Sequence, residues 1–281
     1  MKMNNKIFKA KLNLDFFIIN NRIVLSEAYK KNVTAKKLTG TRLGSIFEDT
    51  SSQLKTWMQM FNLYSEPFDE IYSLVGQTIE PKLRDYYESL TNTSYLSYNP
   101  KKINWDLFKD SKIFGGIPDG EPLNNNSQID YLNNQRMIEI KTASIDQFLF
   151  KKKNGFYYMQ KDNGLPIVKN KDLKYNSWFL NNKITIPNNY LFQLSLYMYL
   201  KKVELGAFII GFVPTLNYKN PSSYDVISNE IRIVNYHLNL EKFQWYIDYA
   251  TKWWNTYIDT GISPKLSQQD LDWFNEAYDN H

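Results

Sequence analysis

The chain has 281 residues, a net charge of +5 at neutral pH and 43 % apolar content, enough to bury one substantial core, and no stretch approaches the ~20 uninterrupted apolar residues of a membrane span. It has no cysteine and two histidines, His237 and His281, which excludes disulfides, thiolate zinc sites, iron–sulfur clusters and histidine-rich metal centres, so any bound metal must be held mainly by oxygen. Met1 to Asn21 alternates Lys and Asn with apolar residues and lacks the continuous apolar run of a secretory signal, which predicts an intracellular, cytoplasmic protein.

Residues 6–25 read as two short strands turning at Asn20-Asn21, with a helix starting near Ser26. Thr39-Gly40-Thr41 reads as a loop leading into helices that carry Leu54, Trp57, Met58 and Phe61 at helical spacing. Between Phe68 and Leu90, apolar residues at Ile71, Leu74, Val75, Ile79, Leu83 and Tyr86/Tyr87 predict an amphipathic helical region. Pro81 predicts a kink or a fresh helix start near Glu80. Strands are expected at 112–117 and 136–142, joined as a hairpin whose long polar tip is 121–135. Residues 155–169 read as a second hairpin around Asp162-Asn163-Gly164, and 190–202 as a helix. Two apolar strands follow at 207–213 and 228–236, then a helix over 240–258 with Phe243, Ile247, Ala250, Trp254 and Tyr257 on one stripe. The pattern is mixed α/β, in one unit spanning 1–281.

Charge is distributed unevenly. Residues 142–190 hold eight lysines against three aspartates, a surplus equal to that of the whole chain, together with nine aromatics that include Phe156, Tyr157, Tyr158, Trp178 and Phe179. Basic side chains interleaved with aromatic faces suit a polyanion with stackable bases; a solvated lysine-rich face is the alternative.

The candidate chemistry lies in the middle of the chain. Glu139 and Lys141 are two apart on a predicted strand, so carboxylate and ammonium share one face. Asp119, after Pro118 and between Gly116 and Gly120, sits near the end of the strand expected to pair with theirs. Two carboxylates with the Ile140 carbonyl between them make an all-oxygen site for a hard divalent cation, and Lys141 beside it could assist or hold an attacking water. The flanking Met137, Ile138 and Ile140 mark that strand as internal, where a charge costs several kcal/mol unless a metal or partner offsets it.

Gly116-Ile-Pro-Asp-Gly followed by Ile138-Glu-Ile-Lys resembles the PD-(D/E)xK nuclease signature. Gly76-Gln-Thr-Ile-Glu80-Pro is similar to the G-x-x-x-E segment of lambda-type phage exonucleases and YqaJ-type viral recombinase nucleases, and Gln193-Leu-Ser-Leu-Tyr197 to their Q-x-x-x-Y helix. Leu38-Thr-Gly-Thr-Arg-Leu-Gly resembles their opening loop near the substrate phosphate. The resemblance implies a restriction-endonuclease-like α/β core, a mixed central sheet flanked by helices, with an N-terminal hairpin and helical section over 1–90 and a basic aromatic insert over 142–190. It implies Mg²⁺, with Mn²⁺ able to substitute, held by Glu80, Asp119, Glu139 and Ile140, with Lys141 and Gln193 assisting. Thr41, Arg42, Lys151, Lys152, Lys153 and Tyr197 are the expected DNA contacts. The implied activity is digestion of double-stranded DNA from an end, with a single-strand annealing protein as partner and a ring-shaped homo-oligomer, a trimer, as assembly. A restriction-type endonuclease and a catalytically silent DNA-binding protein of the same fold are the alternatives. The insert is longer and richer in lysine than the equivalent connection in compact members, as a DNA-gripping flap or as decoration.

Overall fold

The computed structural model describes residues 7–278, so Lys6, the first residue of the expected strand pair, and His281 lie outside the described residues. The chain opens with β1 (Phe16–Ile19) and β2 (Arg22–Leu25), which pair across Asn20-Asn21, and Ser26 caps α1 (Glu27–Asn32) by accepting from the Tyr29 amide. α2 (Gly40–Ser45), α3 (Thr50–Met60) and the 22-residue α4 (Glu70–Thr91) follow. Helix begins at Gly40, so Thr41 and Arg42 ride on α2 and not on the expected loop.

No fresh helix starts at Pro81: α4 runs through it. The proline deprives the Gln77 carbonyl of its amide partner, but Gln77 and Pro81 both lie on the exposed face, where solvent has access to that carbonyl.

β3 (Ser94–Leu96) pairs with β4 (Glu121–Leu123), and β5 (Met137–Ser144) comes next. The strand expected at 112–117 is absent. That stretch is a loop latched to Leu38 through a Leu38–Phe114 bridge, and it turns at Gly116, whose φ of +132° no strand residue adopts. The expected hairpin tip is also corrected: Glu121 opens a strand and is fully buried, and the segment meets β5 through one bridge, Gly120 to Ile138.

After β5 the chain forms β6 (Gln147–Phe148), a hairpin of β7 (Phe150–Lys153) and β8 (Phe156–Met159), and another of β9 (Lys161–Asp162) and β10 (Leu165–Pro166). β11 (Val168–Asn170) returns to pair with β6, and α5 (Leu173–Asn176) leads to a last hairpin of β12 (Phe179–Leu180) and β13 (Lys183–Ile184). Each two-residue turn, at Asn20-Asn21, Asn154-Gly155, Asn163-Gly164 and Asn181-Asn182, has positive φ at both positions, which asparagine and glycine tolerate and which matches the twist of paired strands. The insert is docked, not free. Phe156 is buried against Tyr64 and Trp273, while Tyr175, Trp178 and Phe179 surround Phe212.

α6 (Asn188–Lys201), β14 (Leu205–Val213), β15 (Ile231–His237), α7 (Leu240–Trp253) and α8 (Gln268–Tyr278) complete the chain. The central sheet runs β15-β14-β5, with β14 antiparallel to β15 and parallel to β5 over Gly206↔Met137 to Val213↔Ser144. Strand alternation sends Ile138, Ile140, Ala207 and Ile209 to one face, packed with Val75, Ile79 and Leu83 of α4. Met137, Ala143, Phe208, Ile210 and Phe212 face the other way, into the core that contains Leu194 and Met198 of α6. This is the mixed α/β arrangement expected, a mixed sheet with helices on both sides. Among the described residues no helix is long and apolar enough to cross a membrane.

α2 and α6 touch backbone to backbone: a Cβ on Gly40 would lie 2.3 Å from the Gln193 Cα. Gly40→Ala must therefore push the two helices apart. We expect a loss of about 1–3 kcal/mol or more in chemical denaturation, the usual cost of overpacking, with an unchanged m-value.

Candidate active site

Parity on β5 places the site. Ile138, Ile140 and Thr142 face α4, so Glu139 and Lys141 face α6, where Lys141 Nζ donates to Glu139 Oε1 at 2.5 Å and to Gln193 Oε1 at 3.2 Å. Asp119 occupies the open edge of β5. Its Oδ2 accepts the Ile140 amide at 2.8 Å, a bond no strand supplies because β14 lies on the opposite edge. In an extended strand the amide and carbonyl of one residue point the same way, so the Ile140 carbonyl also faces this edge.

Glu80 arrives from the other face of the sheet. Gly76, Glu80 and Arg84 fall four apart on α4, and a Cβ on Gly76 would meet Glu80 Oε1 at 2.9 Å, so the glycine provides the room into which the carboxylate folds. Arg84 Nη2 donates to the Asp119 carbonyl at 3.3 Å. Asp119 thus stands between a carboxylate from each side of the sheet, close enough to both to raise them.

The electrostatics show a cluster short of positive charge. Burial, and then the neighbouring Asp119, push Glu80 up to about 7 and Glu139 up to about 8. Burial opposes the charge on Lys141, but Glu139 and Asp119 more than offset it and hold the ammonium above its ordinary value. Glu139 is fully buried beside Asp119, and its Oε2 has no hydrogen-bond donor. The raised carboxyls are therefore biased toward holding a proton or sharing a cation.

Those donors fit a hard divalent cation: carboxylates of Glu80, Asp119 and Glu139, one of them with a partnerless buried oxygen, and a strand carbonyl. Among the described residues no three acid or histidine side chains are gathered around one point; Asp119 accepts the Ile140 amide and Glu139 accepts from Lys141.

The remaining expected residues divide into two groups. Tyr197, one turn past Gln193, is buried beside Glu139 and Asp119 and lies close to the Ile117 backbone. Arg42 lies close to Tyr197 and donates through Nη1 to the Lys37 carbonyl at 2.9 Å, while Thr41 is exposed on the same helix, so α2 borders the cluster. Lys151, Lys152 and Lys153 are exposed on β7, which docks on α8 through a 2.7 Å Lys152–Glu276 pair and not on β5. Sequence reasoning missed three residues. Arg84 follows Glu80 by one helical turn, and Tyr190 precedes Gln193 by three residues, spacings that would have found both. Glu121, buried against Tyr98, Tyr131 (2.7 Å) and Lys201 (3.1 Å), anchors the end of the Asp119 loop, and only its place two residues after Asp119 hints at it.

Raised carboxyls hold protons that a cation must displace. As pH falls through about 7, Glu80 and Glu139 keep their protons and divalent-cation binding should weaken; as pH rises toward about 8 it should strengthen. Each ion bound near neutrality should release protons, read as a buffer-dependent heat in calorimetric titration. An affinity independent of pH across this range would contradict the assignment.

A family model described as a YqaJ-like viral recombinase domain matches residues 31–203, which contain Arg42, Glu80, Asp119, Glu139, Lys141, Gln193 and Tyr197. The uncharacterized protein MG373 of Mycoplasma genitalium is 43 % identical over 275 residues, 96 % of this chain and 98 % of that protein. Its homolog in Mycoplasma pneumoniae is 41 % identical over the same shares of the two chains. Among solved structures, an alkaline exonuclease from Laribacter hongkongensis aligns with a TM-score of 0.48 at 10 % identity, covering 84 % of this chain and 94 % of that one. On the family match, which spans more than half of its length, the chain belongs to the YqaJ-like viral recombinase domain family.

Proposed function

We infer that this protein is a metal-dependent deoxyribonuclease that hydrolyses phosphodiester bonds of double-stranded DNA from an end. The observation that carries the reading is the buried Glu139 beside Asp119, with Oε1 on Lys141 and Oε2 without a hydrogen-bond partner. Family membership and the resemblance of the motifs to phage recombination exonucleases support the choice of DNA and of ends.

Glu80, Asp119, Glu139 and the Ile140 carbonyl would hold Mg²⁺, or Mn²⁺ in its place, and the chemistry such an ion supplies is charge neutralisation at the scissile phosphate and a more acidic attacking water. Lys141, held cationic by its two carboxylate neighbours, places a donor where negative charge develops on the phosphate. Gln193 accepts from Lys141 and fixes the direction of the ammonium. Arg42 and Thr41 on α2 would take a backbone phosphate next to the cluster, and the β7 lysines would hold DNA farther away.

The test uses duplex DNA labelled at its ends beside a covalently closed circle. With Mg²⁺, the linear duplex should be degraded progressively and the circle spared; equal attack on the circle would make the protein an endonuclease, and full activity in excess chelator would remove the metal from the reading. Lys141→Ala should lower cleavage roughly 10²- to 10³-fold with DNA binding nearly intact, the scale of losing one preorganised electrostatic group. Asp119→Asn and Glu139→Gln should abolish turnover and metal binding together. A carboxylate variant that cuts at the wild-type rate would show the site to be elsewhere.

A further inference from the structure

Lys141 has a neighbour that the nuclease motifs do not include. Its Nζ lies 4.9 Å from the centroid of the Tyr190 ring, in the range of a cation–π contact. Tyr190 sits on the first turns of α6, three residues before Gln193 and seven before Tyr197, so the three project along one stripe toward β5. The ammonium is therefore confined by Glu139 Oε1, Gln193 Oε1 and an aromatic face.

Tyr190 is braced in turn by the insert. Trp178 is buried and stacks on the Tyr190 ring at 5.8 Å and 20°, and it packs nearly perpendicular to Phe212 of β14 at 5.9 Å and 84°. Tyr175 and Phe179 pack on the same Phe212, at 4.8 and 6.4 Å. This end of the insert is fixed to the central sheet, and it touches the candidate catalytic lysine through the Tyr190 ring.

The geometry points to Tyr190 as a positioning residue for Lys141, with the insert, through Trp178, as the brace that keeps the ring in place. The inference rests on the nuclease reading above and assigns part of the insert a role in holding the reacting geometry, apart from any grip on DNA. A ring suits the task because it favours a cation on its face without accepting the proton, and so does not compete with Glu139 for a hydrogen bond. Misplacement of a catalytic group by about an ångström can lower turnover a hundredfold.

The experiment compares Tyr190→Leu, Tyr190→Phe and Trp178→Phe with wild type and with Lys141→Ala, in two readouts. In Mg²⁺-dependent degradation of linear duplex, Tyr190→Leu should lower kcat roughly ten- to a hundredfold with little change in KM, while Tyr190→Phe, which keeps the ring, restores wild-type turnover. Trp178→Phe, which keeps an aromatic brace, should fall between them. In metal-free protein with ¹³C-labelled lysines, the Lys141 side-chain resonance, identified by its absence in Lys141→Ala, should lose its ring-current shift in Tyr190→Leu and keep it in Tyr190→Phe. Wild-type kcat in Tyr190→Leu, or a Lys141 resonance that does not move, would overturn the inference. A wild-type protein that leaves DNA intact would overturn the nuclease reading, and the resonance would still decide whether the ring holds the lysine.

Discussion

Glu139 has no access to solvent, and an ionised carboxylate in that position costs several kcal/mol unless other groups compensate. The compensation is partial. Lys141 reaches it from two residues along the same strand, but Asp119 faces it from the open edge and Glu80 approaches from beyond the sheet, so acid exceeds base within the cluster. Breaking a buried pair is far more damaging than never having one, which ties this arrangement to its partners. The tight packing nearby serves the same end: Gly40 lets α2 press on Gln193, and the turn at Gly116 makes room for Tyr197 against the Pro118-Asp119 loop. Burial and the surplus of acid favour neutralisation of these carboxylates, in the metal-free protein by a proton.

Much of this was legible in the sequence because it depends on local periodicity. The two-residue alternation that puts Glu139 with Lys141 and against Ile138 and Ile140 holds in the structure, and the helical spacing around Val75, Ile79 and Leu83 gives α4 its buried face. Turn chemistry was equally readable: Asn20-Asn21 and Asn163-Gly164 turn as expected, and Asn154-Gly155 and Asn181-Asn182 obey the same rule without having been singled out. The misreadings involve tertiary contacts. The 112–117 segment is apolar enough for a strand, but the Leu38 latch and the Asp106 carboxylate, which takes the Gly116 amide at 3.2 Å, bind it as a loop. Glu121 looks like part of a polar tip until Tyr98, Tyr131 and Lys201, far apart in the chain, enclose it. Pro81 signals a break, and only the exposure of Gln77 shows why none was needed.

The 142–190 segment shows how charge and aromatic content can separate in space although they interleave in sequence. Its lysines on β7 stay exposed, whereas Phe156 and Trp178 are buried in contacts with α8 and β14. Phe150 and Tyr157, 43 % and 65 % exposed, still present their rings to solvent. A composition that reads as a nucleic-acid surface thus divides into a solvated basic strand and an apolar underside, and the underside is the part in contact with the cluster.

The pairing of β5 with β14 has a consequence for how the protein is made. Apart from the Gly120 bridge, the partner of β5 is a parallel strand that begins at Leu205, beyond the whole insert and α6. Parallel pairs of such separation close slowly because the loop between them must be ordered first. During synthesis Glu80, Asp119, Glu139 and Lys141 all leave the ribosome well before β14 can dock, with no sheet to hold them and no α6 to bury them. Whatever chemistry the cluster performs becomes available only late in translation, when the chain has been extended past Val213 and the final strands have joined.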